Sequence, residues 1–517
     1  MASPLIWILE DQLSPALPTL TAEPLAPVFM VESARAFSIW PFHKIRLAFL
    51  ASAMRHFAAE LQESNRTVHY FLLREHDYLD SLSAMRKCLA ATGCDEIHVV
   101  EPSEYHTRVW IDSLRDAFGV PIRRFPNTLF LTDRADFQAW ATAQDSPVME
   151  TFYRRMRQRH RVLMDGDRPA GGAWNLDRLN RRPFKRSTAA VPDRPTFPPD
   201  AVTRDVIDEV GRRFAGHPGA LDDFALPVTR PQAEETLAQF LDDRLICFGD
   251  YEDAMATDEP VLFHSTLSAL LNAGLLAPLD VVRAAEVRYR DGRVSLNCVE
   301  GFVRQILGWR EYVYGMYWSF MPEFRDRNAR GSTRPLPQLF WDGDTAMNCL
   351  KQCVGGVVKH AYSHHIQRLM VICNFATLAG LRPQAVNDWF LSMYVDSHDW
   401  VVTPNVVGMA MHADGGTVGT KPYVSSAAYI NRMSDYCKSC EYDHSARTGD
   451  DACPFNFLYW TFLQHFRPQY GENLRMKMVY KNVDRVEPAD MREMMRLRKR
   501  FLKTLPLVPS PGNPGEG

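Results

Sequence analysis

Five short apolar runs, LIWIL, PVFMV, TVHYFLL, EIHVVEP and PIRRF, recur across residues 1–135. The last four are separated by the helical segments KIRLAFLASAMRHFAAELQ, YLDSLSAMRKCLAATG and RVWIDSLRDAFG. β-Rich runs alternating with helical ones predict a doubly wound parallel sheet with helices on both faces, a Rossmann-like α/β domain. The loop after the first run reads EDQLS, without G-x-G-x-x-G. An ordinary dinucleotide site is therefore not expected there, although ligands of such sheets do lie beyond the C-terminal strand ends.

The pattern changes after residue 135. Between Thr151 and Arg186 there are ten Arg and one Lys against three Asp, followed by VPDRPTFPPD. Residues 136–230 read as an interdomain linker, either simply solvated or a strip that contacts phosphates. From 231 to 505 the text is helical. Gly292 and Gly380 stand as helix C-caps, while Pro278 with Asp280, and Pro383, mark helix starts. The expected architecture is α/β plus all-α, with a disordered tail over 506–517. No apolar run approaches the roughly 20 residues of a membrane span. The first residues carry Glu10 and Asp11 instead of a basic flank, so a cytoplasmic monomer is expected. A net charge of −3 gives no global attraction to nucleic acid, so such a partner needs a local patch.

Ten cysteines without regular spacing argue against a disulfide framework. Cys437 and Cys440 form C-x-x-C, which lets two thiolates reach one metal from a single turn, and Cys453-Pro454 can bring a third. The fourth ligand is either His444 nearby, or Cys349 or Cys353 from upstream. Spacing alone leaves zinc, an iron–sulfur cluster and free thiols open, zinc being the commonest user of such pairs. Cys88, Cys94, Cys247, Cys298 and Cys373 read as core thiols.

LFHSTLSALLNAGLL puts Ser265, Thr266 and Ser268 at the head of an apolar helix. Free N–H groups, hydroxyls and the helix dipole together suit phosphate there. VEGFVRQILGWREYVYGMYW then carries Gln305, Trp309, Arg310 and Glu311 in a segment apolar enough to be buried, and such polar groups need partners.

S-T-x-L-S followed by F-x-R-Q-x-x-x-W-R-E-Y resembles the flavin-binding domain of the DNA photolyase and cryptochrome superfamily. DQLS, SAMRHFAAEL, SHHIQRLM, GTKPYVSSAAYINRMSDYC and DDACPFNFLYW are similar to the bacterial (6-4) photolyases that carry an iron–sulfur cluster, over nearly the whole chain. That resemblance implies a [4Fe-4S] cluster on Cys349, Cys437, Cys440 and Cys453, in place of zinc. It implies FAD with its phosphates on Ser265, Thr266, Leu267 and Ser268, Gln305 and Arg310 near phosphate or ribose, and Asp396 and Asn405 facing the ring system. The implied reaction is light-driven repair of pyrimidine–pyrimidone (6-4) lesions in UV-damaged DNA, the lesion leaving the stack to reach the flavin. His365 is the implied general acid and His364 its support, adjacent histidines diverging by ~100° on a helix. Tyr423 is expected to border the cavity; Trp341, Trp389 and Tyr429 are the expected electron-transfer residues.

Relatives that bind a lumazine antenna read roughly E-V-x-x-E-x-x-Y-V-x-H-H-x-x-K. Here ESARAFSIWPFHK has Ala36, Ile39 and Phe42 in place of an acid, the tyrosine and a histidine. A weak or absent lumazine site is expected. A cryptochrome-like light sensor and a zinc-stapled DNA-binding protein are the rival readings.

Overall fold

The alternating runs become five parallel strands: β1 (Pro4–Trp7), β2 (Val28–Val31), β3 (Val68–Phe71), β4 (Glu96–Val100) and β5 (Ile122–Phe125). The computed structural model describes residues 3–75, 81–187 and 189–507; the tail from residue 508 lies outside them. Strand order is β3-β2-β1-β4-β5, the doubly wound order in which the chain reverses direction beside β1. In register, Ile6 faces Val28 and Trp7 faces Phe29 on one side, while Leu5 faces Ile97 on the other.

Alternation along each strand decides which core a side chain joins. Ile6, Val28 and Met30 pack with Leu47, Leu50 and Met54 of the helix Lys44–Glu63, in a core that continues into the helical half through Phe240, Phe302 and Tyr312. Leu5, Trp7, Phe29, Ile97 and Val99 face Met85, Cys88 and Ile111 on the opposite side. A further core, built around Leu350, Ile372, Phe375, Trp389, Phe455 and Met494, organises the C-terminal part.

The Arg/Pro-rich segment contains the helices Met149–His160 and Ala201–Arg213. Most of its arginines hold the protein to itself. Arg154 pairs with Glu150, Arg155 and Arg159 with Asp136, Arg182 with Asp250 and Arg186 with Glu259. Arg157 is wholly buried and donates to the carbonyls of Val162, Leu163 and Trp174. The reading of a phosphate-contacting strip loses most of its free charges to these contacts.

Beyond residue 300, three helices open into π-helical turns, at Arg304–Arg310, Gln367–Cys373 and Pro404–Ala410. Each such turn inserts a residue into the ladder and redirects side chains, a distortion common at functional sites. Among the described residues, no helix is long and apolar enough to cross a membrane.

Candidate active site and cysteine pocket

All three π turns contribute to the wall of one cavity of about 290 Å³. It lies where the first core meets the C-terminal one: Phe302, Ile306 and Val313 come from the former, Leu369, Phe390 and Val406 from the latter. Ser265, Thr266, Leu267, Ser268, Gln305, Arg310, His364, His365, Asp396 and Asn405 all line it. Sequence separation hides this convergence. Tyr423 packs at the seam of the two cores but is not among the lining residues, nor is Tyr429, whose hydroxyl points to Asp253 at 3.4 Å.

The hydroxyl-rich segment differs locally from expectation. Its helix spans only Ser268–Ala273, so Ser265 and Thr266 sit in the loop before it. Thr266 holds a left-handed φ of 57°, unfavourable for a β-branched residue and a conformation that gathers at binding sites. Asp396 anchors the next wall. Ser268 donates to it at 2.7 Å, Arg368 grips both its oxygens at 3.2 and 3.0 Å, and Asn272 donates to its backbone carbonyl at 3.0 Å. Burial opposes the charge on Asp396, yet Arg368 and Ser268 hold its pKa below the ordinary carboxylate value. Arg310, expected at phosphate or ribose, is already engaged: it donates to Glu311 at 2.8 Å and lies over Phe130 and Trp400. Gln305 and Asn405 donate to carbonyls of their own helices, Gly301 and Val401, which leaves their amide oxygens available to a ligand.

The two histidines behave differently, as their ~100° divergence predicts. His365 is exposed to the open cavity, although protein atoms crowd around it and burial, then Arg368, lower its pKa to about 4. His364 is buried, and neither ring nitrogen has a hydrogen-bond partner. Its ring stacks on His264 with centroids 4.3 Å apart and planes 12° from parallel. His264 is a lining residue that the sequence reading missed; its place just before S-T-x-L-S was the available signal. Burial lowers its pKa to about 3, and its Nε2 is also without a partner.

The candidate electron route starts at Phe390 on the cavity wall. Trp389 packs edge-on against Phe390 at 5.1 Å and against Phe340 at 5.2 Å, while its indole N–H donates to the Phe340 carbonyl. Trp341, next in the chain, is half-buried.

A second, smaller cavity gathers Cys349, Cys437, Cys440 and Cys453 among Met347, Ala427, Ile430, Tyr436 and Phe455. Cys349 comes from the first turn of Asn348–His360, Cys437 from the short helix Tyr436–Ser439, and Cys453 is the N-cap of Pro454–His465. Asn348 ties these pieces together, donating to the Tyr436 carbonyl at 2.8 Å and to Ser439 at 3.2 Å. His444 also reaches the wall. Cys353 does not: one turn beyond Cys349, it is buried in the C-terminal core. Burial and the neighbouring sulfurs push the Cys437 thiol up to about 11 and raise Cys349 well above its usual value. No group of three His, Cys, Asp or Glu among the described residues could hold a single metal ion.

Beyond the strand ends of the sheet, the loop after β4 and the first turn of the helix Lys44–Glu63 clamp the segment that carries Asp396. Glu104 accepts from the Asp399 N–H at 2.6 Å, and Arg46 donates to the Ser397 and Val395 carbonyls.

Comparison with known proteins agrees with this architecture. Residues 6–226 match the family described as deoxyribodipyrimidine photo-lyase-related protein. A (6-4) photolyase from Agrobacterium fabrum is 43% identical over 507 residues, 97% of this chain and all of the relative. A bacterial class III photolyase from Agrobacterium tumefaciens superposes with a TM-score of 0.59 at 16% identity, over 97% of this chain and 98% of that one. A Synechocystis cryptochrome does so with a TM-score of 0.54 at 13% identity, over 97% and 99%.

Proposed function

Since the chain belongs to the family of the Agrobacterium (6-4) photolyase, we propose that it is a light-dependent DNA-repair enzyme, a carbon–carbon lyase that reverses pyrimidine–pyrimidone (6-4) photoproducts. The observation that carries this reading is the histidine pair: one ring exposed to the cavity, the other buried in its wall and stacked on His264, in a cavity that also holds a hydroxyl-bearing loop and a paired aspartate.

The residues fit FAD. Ser265 and Thr266 offer hydroxyls, and Leu267 and Ser268 backbone N–H groups, to its phosphates, with Gln305 and Arg310 toward phosphate or ribose. Asp396 and Asn405 present an acid and an amide to the ring. The bound flavin supplies light-driven electron transfer to the lesion, which must be turned out of the DNA stack. His365 holds and delivers the proton at its ring nitrogen. Its pKa, lowered to about 4, must be raised by anionic neighbours, lesion phosphate included, before it acts as an acid near neutral pH. His364, buried and stacked on His264, supports it from the neighbouring position. Trp389 and Trp341 carry oxidising equivalents outward, past Phe390 and Phe340, and Tyr423 acts from the seam rather than from the wall.

The four thiols fit a [4Fe-4S] cluster. A cubane takes one thiolate on each iron, whereas a single tetrahedral zinc draws all four sulfurs onto one centre at about 2.3 Å. Cys349 is preferred to Cys353 because it faces the cavity. A lumazine antenna fits poorly. Glu32 is saturated by Arg55, Tyr70 and the Leu73 N–H, and Trp40 turns to Arg325 of the helical half.

Blue light with the reduced holoprotein should clear (6-4) lesions from an oligonucleotide. Protein that binds the lesion and leaves it unrepaired under light would be a photoreceptor instead.

A further inference from the structure

The two pockets are joined by a buried chain of hydrogen bonds. Tyr436, on the wall of the cysteine pocket, is 1% exposed; its hydroxyl accepts from Gln367 Nε2 at 3.1 Å. The Gln367 Oε1 accepts the backbone N–H of His364 at 3.1 Å. The helix begins at His365, so His364 is its N-cap and Gln367 its third residue, which makes this bond the return half of a capping box. The glutamine is itself buried, and its amide orientation is set from both ends: its oxygen must meet an N–H, its nitrogen a hydroxyl.

We propose that Tyr436 and Gln367 are positioning residues, which register the His364–His365 turn against the wall of the cysteine pocket and so aim the proton donor. This rests on the reading of His365 as that donor. The link explains why a pocket of sulfurs and a pocket for chemistry share one scaffold: the helix start carrying both histidines is hung from the residue next to Cys437. Other groups hold the same turn from the opposite side. Arg368 donates to the Ser363 carbonyl at 2.7 Å and pairs with Asp396, and Ser363 meets the Tyr394 hydroxyl at 2.9 Å. The charged and titratable groups facing the two imidazoles are Arg368 and His264. Because a misplacement of about 1 Å can cost roughly 100-fold in rate, losing one buried pin should show in chemistry before it shows in folding.

The test compares holoprotein with Tyr436→Phe, Gln367→Leu and the double variant, by iron and acid-labile sulfide content, light-driven repair from pH 6 to 9, and dark NMR titration of ¹³C-labelled histidine. Tyr436→Phe is expected to keep wild-type iron, sulfide and flavin. Its repair should fall about tenfold with an altered pH profile, and the His365 resonance should shift. Gln367→Leu should do the same, and the double variant no more than Gln367→Leu, since the chain breaks only once. Unchanged pH profile and histidine resonances in Tyr436→Phe would overturn the proposal, as would repair that falls only in proportion to lost iron. If the wild type repairs nothing, the functional reading fails, while the dark titration still decides whether Tyr436 sets the histidines.

Discussion

The cysteine pocket and the wide cavity lie in the same helical half and are built by opposite rules. The first is small and mostly apolar, assembled from regular helix starts: an N-cap, a first turn and a short C-x-x-C helix, cross-tied by Asn348. The second is formed by three distorted helices and leaves buried nitrogens of His264 and His364 without partners. Polar groups buried without partners cost free energy, and natural folds keep them mainly where something else will engage them. One pocket is thus arranged to hold the fold, the other to act, and substitutions should separate the two.

The largest effect is expected at the sulfurs. Cys349→Ala should lose iron and acid-labile sulfide and give little soluble folded protein, because metal-binding free energy serves as folding free energy at such sites. Cys353→Ala, one turn away, should keep the iron and lose about 1 kcal/mol, the worth of one small buried group in a packed core. Elemental analysis with a thermal melt separates the two; equal iron loss in both would erase the distinction between ligand and neighbour.

Next comes the chemistry. His365→Ala should lower repair by about 10²- to 10⁴-fold, the usual share of general acid–base catalysis. Flavin absorbance and melting temperature should stay near wild type, because the ring stands open in the cavity. His364→Ala removes a buried ring and should damage stability as well. A wild-type repair rate in His365→Ala, measured on a lesion-bearing oligonucleotide, would move the proton donor elsewhere.

Acidification probes the same cavity without altering the sequence. The folded pKa of His264, about 3, lies below its ordinary 6.5, so the unfolded chain takes up this proton first. Stability should fall as pH drops from 6.5 toward 3, by about 1.4 kcal/mol for each pKa unit traversed. Asp396, held below 3.8, adds its own loss only under that value. Glu252 and Asp253, raised to about 8 and about 6, tilt the curve the other way. His264→Phe keeps a ring against His364 and removes the proton, so its denaturation midpoints between pH 7 and 4.5 should slope less than those of the wild type. Equal slopes would mean that His264 titrates normally.

These differences also govern what the sequence discloses. Strand alternation is a local property, so LIWIL and EIHVV reveal a doubly wound sheet before any contact is known. C-x-x-C is local too, yet Cys349 stands 88 positions before Cys437 and is separable from Cys353 only by which side of one helix turn meets the cavity. The wide cavity is read still less directly. Its lining spans Phe248 to Ala410, its π turns follow no residue pattern, and His264 is marked only by its place before S-T-x-L-S. Arg310 shows the converse: its motif suggested a ligand contact, and folding supplied Glu311 and two aromatic faces first. Spacing reports what one element does; a site made where two cores meet depends on partners that spacing does not encode.

The smallest effect tests how far the cavity is already arranged before any ligand enters. Ser268→Ala deletes the 2.7 Å bond to Asp396 but leaves the two contacts from Arg368, so the carboxylate stays charged and in place. A hydrogen bond to a charged group is worth about 1.5–3 kcal/mol when its loss leaves nothing behind, and less when a guanidinium remains. Flavin retention should therefore weaken by roughly tenfold, at the lower end of that range, with iron content unchanged. Fluorescence titration of released flavin measures it. A loss far beyond tenfold would make Ser268 itself a principal ligand contact, whereas no loss would mean that Arg368 alone sets the carboxylate and that the cradle takes its shape from the strained turn at Thr266.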